Sequence, residues 1–351
     1  MVDYGPPLIV DVGSSTIQAG LAGQSASLIP ACIATSSSET FVGEKPLQRA
    51  SELRFTYPLA AGAVHDWDQV EALWQHVFNT TKAARAPVLL AEPLQVPTQD
   101  RARLAELLYE KFRVPALYIE KQPRLSLYAN GAMTGVVLDS GESTTQAVAV
   151  YEGFGLQAAT MSLKLAGKQV TERFTLLLRR SGYTFSTSGE LELVKYLKEQ
   201  SCHVENPNDT EENTAEQSTY QLPDGQEVTV GVETTKAPEI LFSPRKAGFE
   251  GLSLAECVAE TIKRADIDLR RALYRNVYLA GGTTLMQGFG SRLLEEVSKV
   301  TPKEIKLRMT APADPVLSVW NGGGVLAGLD SFKQLWVSQQ QFQEQGLRAF
   351  S

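Results

Sequence analysis

Two short glycine turns carry the chemistry most readily read from this chain. Asp11-Val-Gly-Ser-Ser15 and Asp139-Ser-Gly-Glu-Ser143 each follow an apolar run, Leu8–Val10 and Gly135–Leu138, and each precedes a second strand-like run. A strand, a tight Gly turn bearing Ser, and another strand gather backbone N–H groups around one point, a concavity that suits an anion. An Asp at the head of each turn can hold a metal through water. Set face to face, two such turns would clamp a nucleotide triphosphate and its cation from both sides. One D-x-G-x-S is a weak signal, because plain hairpins also carry Gly and Ser. Two copies in matching contexts are much stronger.

Tyr278-Leu-Ala-Gly-Gly-Thr-Thr-Leu285 adds a third element. It reads as a buried strand ending in Gly-Gly, after which Thr283 or Thr284 caps a helix running through Phe289 to Val297. Glycines at a strand end let a ligand, here a nucleoside, approach the backbone closely. Alone, this would be an ordinary strand-to-helix turn.

The elements that must position these turns alternate. Leu8–Val12 is a strand and Trp67–Ala83 a helix with Val70, Leu73, Trp74, Val77 and Phe78 at helical spacing. Pro87–Ala91 is a buried strand, Thr98 caps a helix with Leu104, Leu107, Leu108 and Phe112 on one face, Pro115–Ile119 is a strand and Arg124–Asn130 a short helix. The second turn restarts the pattern, with a helix near Gln169–Ser181. Such alternation gives an α/β fold with helices packed on sheets, and the restart at Gly135 suggests two similar halves from an internal duplication. Glu205–Gln217 is polar and acidic and reads as a solvated loop before the hairpin Thr219–Val230, whose Pro-Asp-Gly is a turn signal.

Composition excludes several classes. At 351 residues two domains are expected, and 43% hydrophobic with 21% charged residues describes an ordinary soluble protein. A net charge of −7 with no basic stripe argues against direct nucleic-acid binding. Cys32, Cys202 and Cys257 are an odd number at wide spacings, which implies no disulfide framework and a reducing compartment. No signal peptide or membrane span is expected, so no membrane partner is either. His65, His76 and His203 are scattered, without zinc spacing or a neighbouring nucleophile, and His76 falls on helix surface.

Over nearly its whole length the chain resembles actin and the actin-related proteins. Ala19–Gly23, Ser126–Ala129, Leu138–Gly141, Val150–Gly153, Leu165–Gly167, Tyr220–Gly225, Gly281–Thr284, Ser318–Trp320, Gly322-Gly323 and Gln334–Ser338 look like family signatures in matching order and spacing. The resemblance implies an actin-like ATPase fold: two lobes, each a mixed sheet flanked by helices, with the nucleotide cleft between. Residues 1–128 and 318–351 would form the first lobe, with a truncated outer subdomain at about 31–60. Residues 129–317 would form the second, with an outer subdomain at about 168–250. The chain would cross between lobes near Gln122–Asn130 and Pro315–Ser318.

It also implies ATP or ADP with Mg or Ca as ligands. By position, Asp11, Gly13, Ser14 and Ser15 would form the first phosphate loop, and Asp139, Ser140, Gly141, Glu142 and Ser143 the second. Asp11 and Asp139 would hold cation-bound waters, and Gln122 would orient the attacking water. Gly281, Gly282, Thr283 and Leu285 would flank the nucleoside, with Lys198 and Glu199 near the adenosine.

Departures from the family pattern are more informative. Gln18 stands where actin's first loop has a phosphate-contacting Lys, and a neutral amide cannot offset phosphate charge. Gln146 replaces a His that helps activate water and cannot act as a base near neutral pH. Val316 replaces a Lys near the base edge, and Ser143 replaces a glycine and crowds the terminal phosphate. From Pro30 to Val42 the chain is distinctly shorter than actin, and the missing stretch is the loop that one filament subunit inserts into its neighbour. What remains, Ala34–Thr40, is polar and lacks an apolar anchor. The receiving groove keeps Tyr128, Gly131, Val325, Leu326, Leu329 and Leu335, with Asn321 adding an amide.

These features together describe an actin-related structural subunit of a multiprotein assembly, cytoskeletal or chromatin-associated. It would bind nucleotide with weak or no hydrolysis, would not be a homopolymer, and would partner actin, other actin-related proteins or complex subunits. The expected location is the cytoplasm (cytoskeleton), with the nucleus second. The alternative is an ATP-hydrolysing, polymerising actin-like protein. A sugar or acetate kinase of the same superfamily is disfavoured, because no separate acceptor motif appears.

Overall fold

Leu8–Val12 is apolar without alternation, as a strand covered on both faces must be, and Leu8, Ile9 and Val10 are fully buried. It is central to a six-stranded mixed sheet in a computed structural model that describes residues 4–205 and 217–350. The strand pairs antiparallel with Thr16–Leu21, which pairs with Ser27–Pro30 at one edge. On its other side it pairs parallel with Val88–Glu92, then Ala116–Lys121, with Val337–Ser338 closing the far edge.

A second sheet repeats this order. Phe154–Leu163, Thr145–Tyr151 and Gly135–Ser140 form an antiparallel meander, and Gly135–Ser140 continues parallel to Val277–Ala280 and then Met309–Thr310. The fold is thus mixed α/β, with two main mixed sheets flanked by helices. Most of the acidic stretch read as a solvated loop lies outside the described residues; the hairpin after it is present as Ser218–Gln221 paired with Glu227–Val230.

Most helices form where the apolar spacing places them. Trp67–Thr81 starts at Asp66, whose carboxylate accepts from the Asp68 and Gln69 N–H groups, and it buries Val70, Leu73, Trp74, Val77 and Phe78 against the first sheet. Ser188–Ser201 starts with a capping box, Thr187 with Glu190. Thr98 departs from expectation: it is the first residue of the helix Thr98–Glu106 and makes no cap bond, since Pro97 holds the cap position.

The chain passes from the first sheet to the second through the helix Gln122–Ala129 and returns through Ser318–Ala327. These helices touch closely, because a Cβ on Gly322 would lie 1.8 Å from the Leu125 carbonyl oxygen. Gly322→Ala must force them apart, and we expect a loss of about 1–3 kcal/mol in urea unfolding. An unchanged midpoint would show that the crossing is loosely packed.

Where the sequence left a short polar remnant, the structure has a closed hairpin. Ile33–Thr35 pairs with Thr40–Val42 and with Arg54–Thr56. The intervening turn is held by the Ser36 N–H donating to the Glu39 carbonyl at 2.9 Å and by the Ser36 hydroxyl accepting from the Ser38 and Glu39 N–H groups.

Candidate functional site

The glycine turns of both sheets open onto one cavity of about 800 Å³. They are built alike: Gly13 N–H donates to the Thr16 carbonyl at 3.1 Å, and Gly141 N–H to the Thr144 carbonyl at 3.1 Å. Neighbouring elements hold the second turn by its carbonyls. Gly141 O accepts from Gly167 N–H at 3.0 Å and from the Thr283 hydroxyl at 2.7 Å, and Glu142 O accepts from Lys168 N–H at 2.8 Å. Among the described residues no backbone acceptor engages the N–H groups of Ser14, Ser15, Glu142 or Ser143. Two turns with unspent donors around a roomy cavity fit a phosphate chain.

Thr283 therefore anchors the second turn and does not cap a helix. Gly282–Leu285 is a 3-10 turn, Thr284 donates to the Gly281 carbonyl, and the helix Phe289–Val300 starts from Gly288.

Asp11 and Asp139 end equivalent strands and both line the cavity. Burial pushes the Asp11 carboxyl up to about 7, against a hydrogen bond from Gln122 and with the Asp139 charge adding to the rise. Burial pushes Asp139 up to about 6. Two buried carboxylates held short of full ionisation are a donor set that a hard divalent cation and its waters would complete. Gln122 donates from Nε2 to Asp11 Oδ1 at 2.7 Å. Gln18, with its amide nitrogen turned to Asp11, donates to the Asp11 carbonyl at 3.0 Å and to Oδ2 at 3.2 Å. The residue in the lysine's place thus spends its donors on the carbonyl and carboxylate of Asp11.

Gln146, Ser143 and Val316 also line the cavity, so these departures lie where a ligand would meet them. Gly281 has φ of +86°, and a Cβ there would lie 2.4 Å from both Asp139 Oδ1 and the Ser140 carbonyl oxygen, so only glycine fits. Gly282 and the half-exposed Leu285 border the same space, as do Lys198 and Glu199. Ser140 stands apart: fully buried behind the wall, its hydroxyl is 2.8 Å from that of Thr145.

Sequence reasoning passed over Lys195, Tyr220 and Met286, which line the same cavity. Lys195 precedes Lys198 by three positions on the helix Ser188–Ser201, so it shares that residue's face, and this spacing was the available signal. Between them sits Glu142, 3.3 Å from Lys195 and 3.9 Å from Lys198. Burial pushes the Glu142 carboxyl up, but these two cations outweigh it and hold it below the usual carboxylate range.

Twin sheets of one strand order each present a glycine turn and an Asp to a shared cavity, which defines a two-sided cleft. The Actin family model matches residues 2–350. An actin-like protein of Neurospora crassa is 41% identical over 371 residues, covering 97% of this chain and 96% of the relative. The chain belongs to the actin family. Members of that family generally bind an adenine nucleotide with a divalent cation, and the unspent turn donors and buried acid pair fit that ligand. Among the described residues, no helix is long and apolar enough to cross a membrane.

Proposed function

We propose that this chain is a structural, actin-related subunit of a larger assembly. It holds ATP or ADP with Mg²⁺ or Ca²⁺ between Asp11 and Asp139, hydrolyses it slowly if at all, and does not polymerise alone. The observation that carries this reading is the closed hairpin Ile33–Val42, which offers no apolar loop for a neighbouring subunit. Head-to-tail contacts need both surfaces, so without one of them they cannot propagate.

The other surface retains apolar character. Val325, Leu329 and Leu335 are each about half exposed, while Leu326 is buried and belongs to the core. Such a patch supports one-sided binding to actin or another actin-related protein, capping or terminating a filament in cytoplasm or nucleus.

Sedimentation at high protein concentration with Mg²⁺ and ATP should leave the chain in the supernatant, and abundant regular filaments would sink the proposal. Leu329→Asp should abolish stoichiometric co-purification with partners while the fold survives, because a carboxylate cannot be desolvated in an apolar interface.

A further inference from the structure

Gln18 leaves the first turn without a cation of its own, yet a buried ammonium reaches that turn from the opposite side. Lys195 Nζ donates to Ser15 Oγ at 2.6 Å and lies 3.3 Å from Glu142 Oε1. Ser15 belongs to the first glycine turn and Glu142 to the second, so one ammonium touches both. Lys195 is only 7% exposed, with Nζ 5.6 Å from the centre of the Tyr57 ring. Burial pulls its pKa down, but Glu142, Glu192 and Glu199 outweigh that and keep it charged.

The ammonium is not needed to hold its helix in place. Glu192, one turn earlier, accepts from the Tyr57 hydroxyl at 2.8 Å and pairs with Lys45 at 2.7 Å. At the helix start, Ser188 Oγ accepts from Phe55 N–H at 3.0 Å, and Gly189 is so close that a Cβ would lie 1.8 Å from the Ala50 carbonyl oxygen. The two halves are clasped there without Lys195.

We propose that Lys195 is the phosphate-reading cation of the cleft, supplying from the second half the charge that Gln18 lacks in the first and favouring a nucleoside triphosphate over a diphosphate. The inference rests on the nucleotide-binding reading above. An ammonium has three N–H donors, and Ser15 and Glu142 take two, which leaves one for a phosphate oxygen. Glu142 keeps the buried charge compensated before the ligand arrives, when an unpaired ammonium would be strongly destabilising. A triphosphate spanning both turns meets this cation where they converge; a diphosphate fills less of that span and gains less from it.

The test is calorimetric titration with Mg²⁺ and either ADP or a non-hydrolysable ATP analogue, so that no turnover is read. Lys195→Met keeps the apolar stem against Tyr57 and removes only the charge. It should weaken the triphosphate analogue about 10- to 100-fold and ADP by clearly less, the range for losing a charge-assisted hydrogen bond. Adding Gln18→Lys to Lys195→Met should recover most of the loss, and Lys195→Arg should retain the preference for the triphosphate. Equal weakening of both nucleotides, or none, would overturn the assignment while leaving nucleotide binding intact. Wild-type protein that binds neither nucleotide would overturn both. If Lys195→Met does not fold, Lys195→Gln takes its place: loss of the triphosphate preference, beside a wild type that has one, would assign the discrimination to the lysine, and a retained preference, or a wild type without one, would remove the proposal.

Discussion

Asp139→Ala is expected to abolish cation-dependent nucleotide retention, lowering affinity by about 10²-fold or more. Asp139 is buried at the head of the second turn, packed against the bare backbone of Gly281, and burial holds its carboxyl at about 6. Removing it leaves Asp11 as the remaining acid of the pair, already committed to the amides of Gln122 and Gln18. The control is a chelator: in excess EDTA the wild type should fall to the variant's affinity, and the substitution should then cost nothing further. A variant that keeps wild-type affinity in Mg²⁺ would show that the metal, if any, is held elsewhere.

Hydrolysis should be far slower than in conventional actin, with each of two substitutions removing roughly 10²-fold. Gln146 borders the cavity with an amide that cannot take a proton near neutral pH. Gln18 brings no charge to the first turn, and its amide faces Asp11. The cation proposed at Lys195 does not replace the base lost at Gln146, since an ammonium held by Glu142 can favour binding but cannot accept a proton from water. Single-turnover quench experiments on preloaded protein decide the matter: bound ATP should persist, and turnover at an actin-like rate would defeat the expectation.

The two glycine turns and their strands were legible in the sequence because their signals are local: an apolar run, a Gly, a Ser, another apolar run. The helix Trp67–Thr81 was legible for the same reason, its apolar stripe and Asp66 cap lying within one segment. What failed was long-range. Thr283 has a helix-capping residue type, but its hydroxyl goes to Gly141, 142 positions away. Thr98 is the local exception: it has a capping side chain, yet the adjacent Pro97 takes the position with a backbone already suited to it. Lys195 meets Ser15 across 180 positions, a contact that no local pattern shows. Leu326 and Leu329 could not be told apart by pattern. Leu326 packs with Leu125 of the crossing helix, while Leu329 lies past the end of its helix and is about half exposed.

The repeated strand order has one more consequence. Asp11 pairs with Ala91 in the first sheet as Asp139 pairs with Ala280 in the second, so the two acids hold equivalent places in the two halves. A ligand that is the same at both ends would meet such a pair alike from either side, but a nucleotide is not, so its polarity has to be written where the halves differ. The register locates that difference: one residue beyond the paired alanines stands Glu92 in one half and Gly281 in the other, and one further stand Pro93 and Gly282. Pro93 borders the cavity on one side while Glu92 is buried against Arg101 and Lys121, and the bare backbone of Gly281 and Gly282 borders it on the other. A nucleotide held here would have its direction set by such broken symmetry, at these two positions and at Lys195, Lys198 and Glu199, which only the second half supplies.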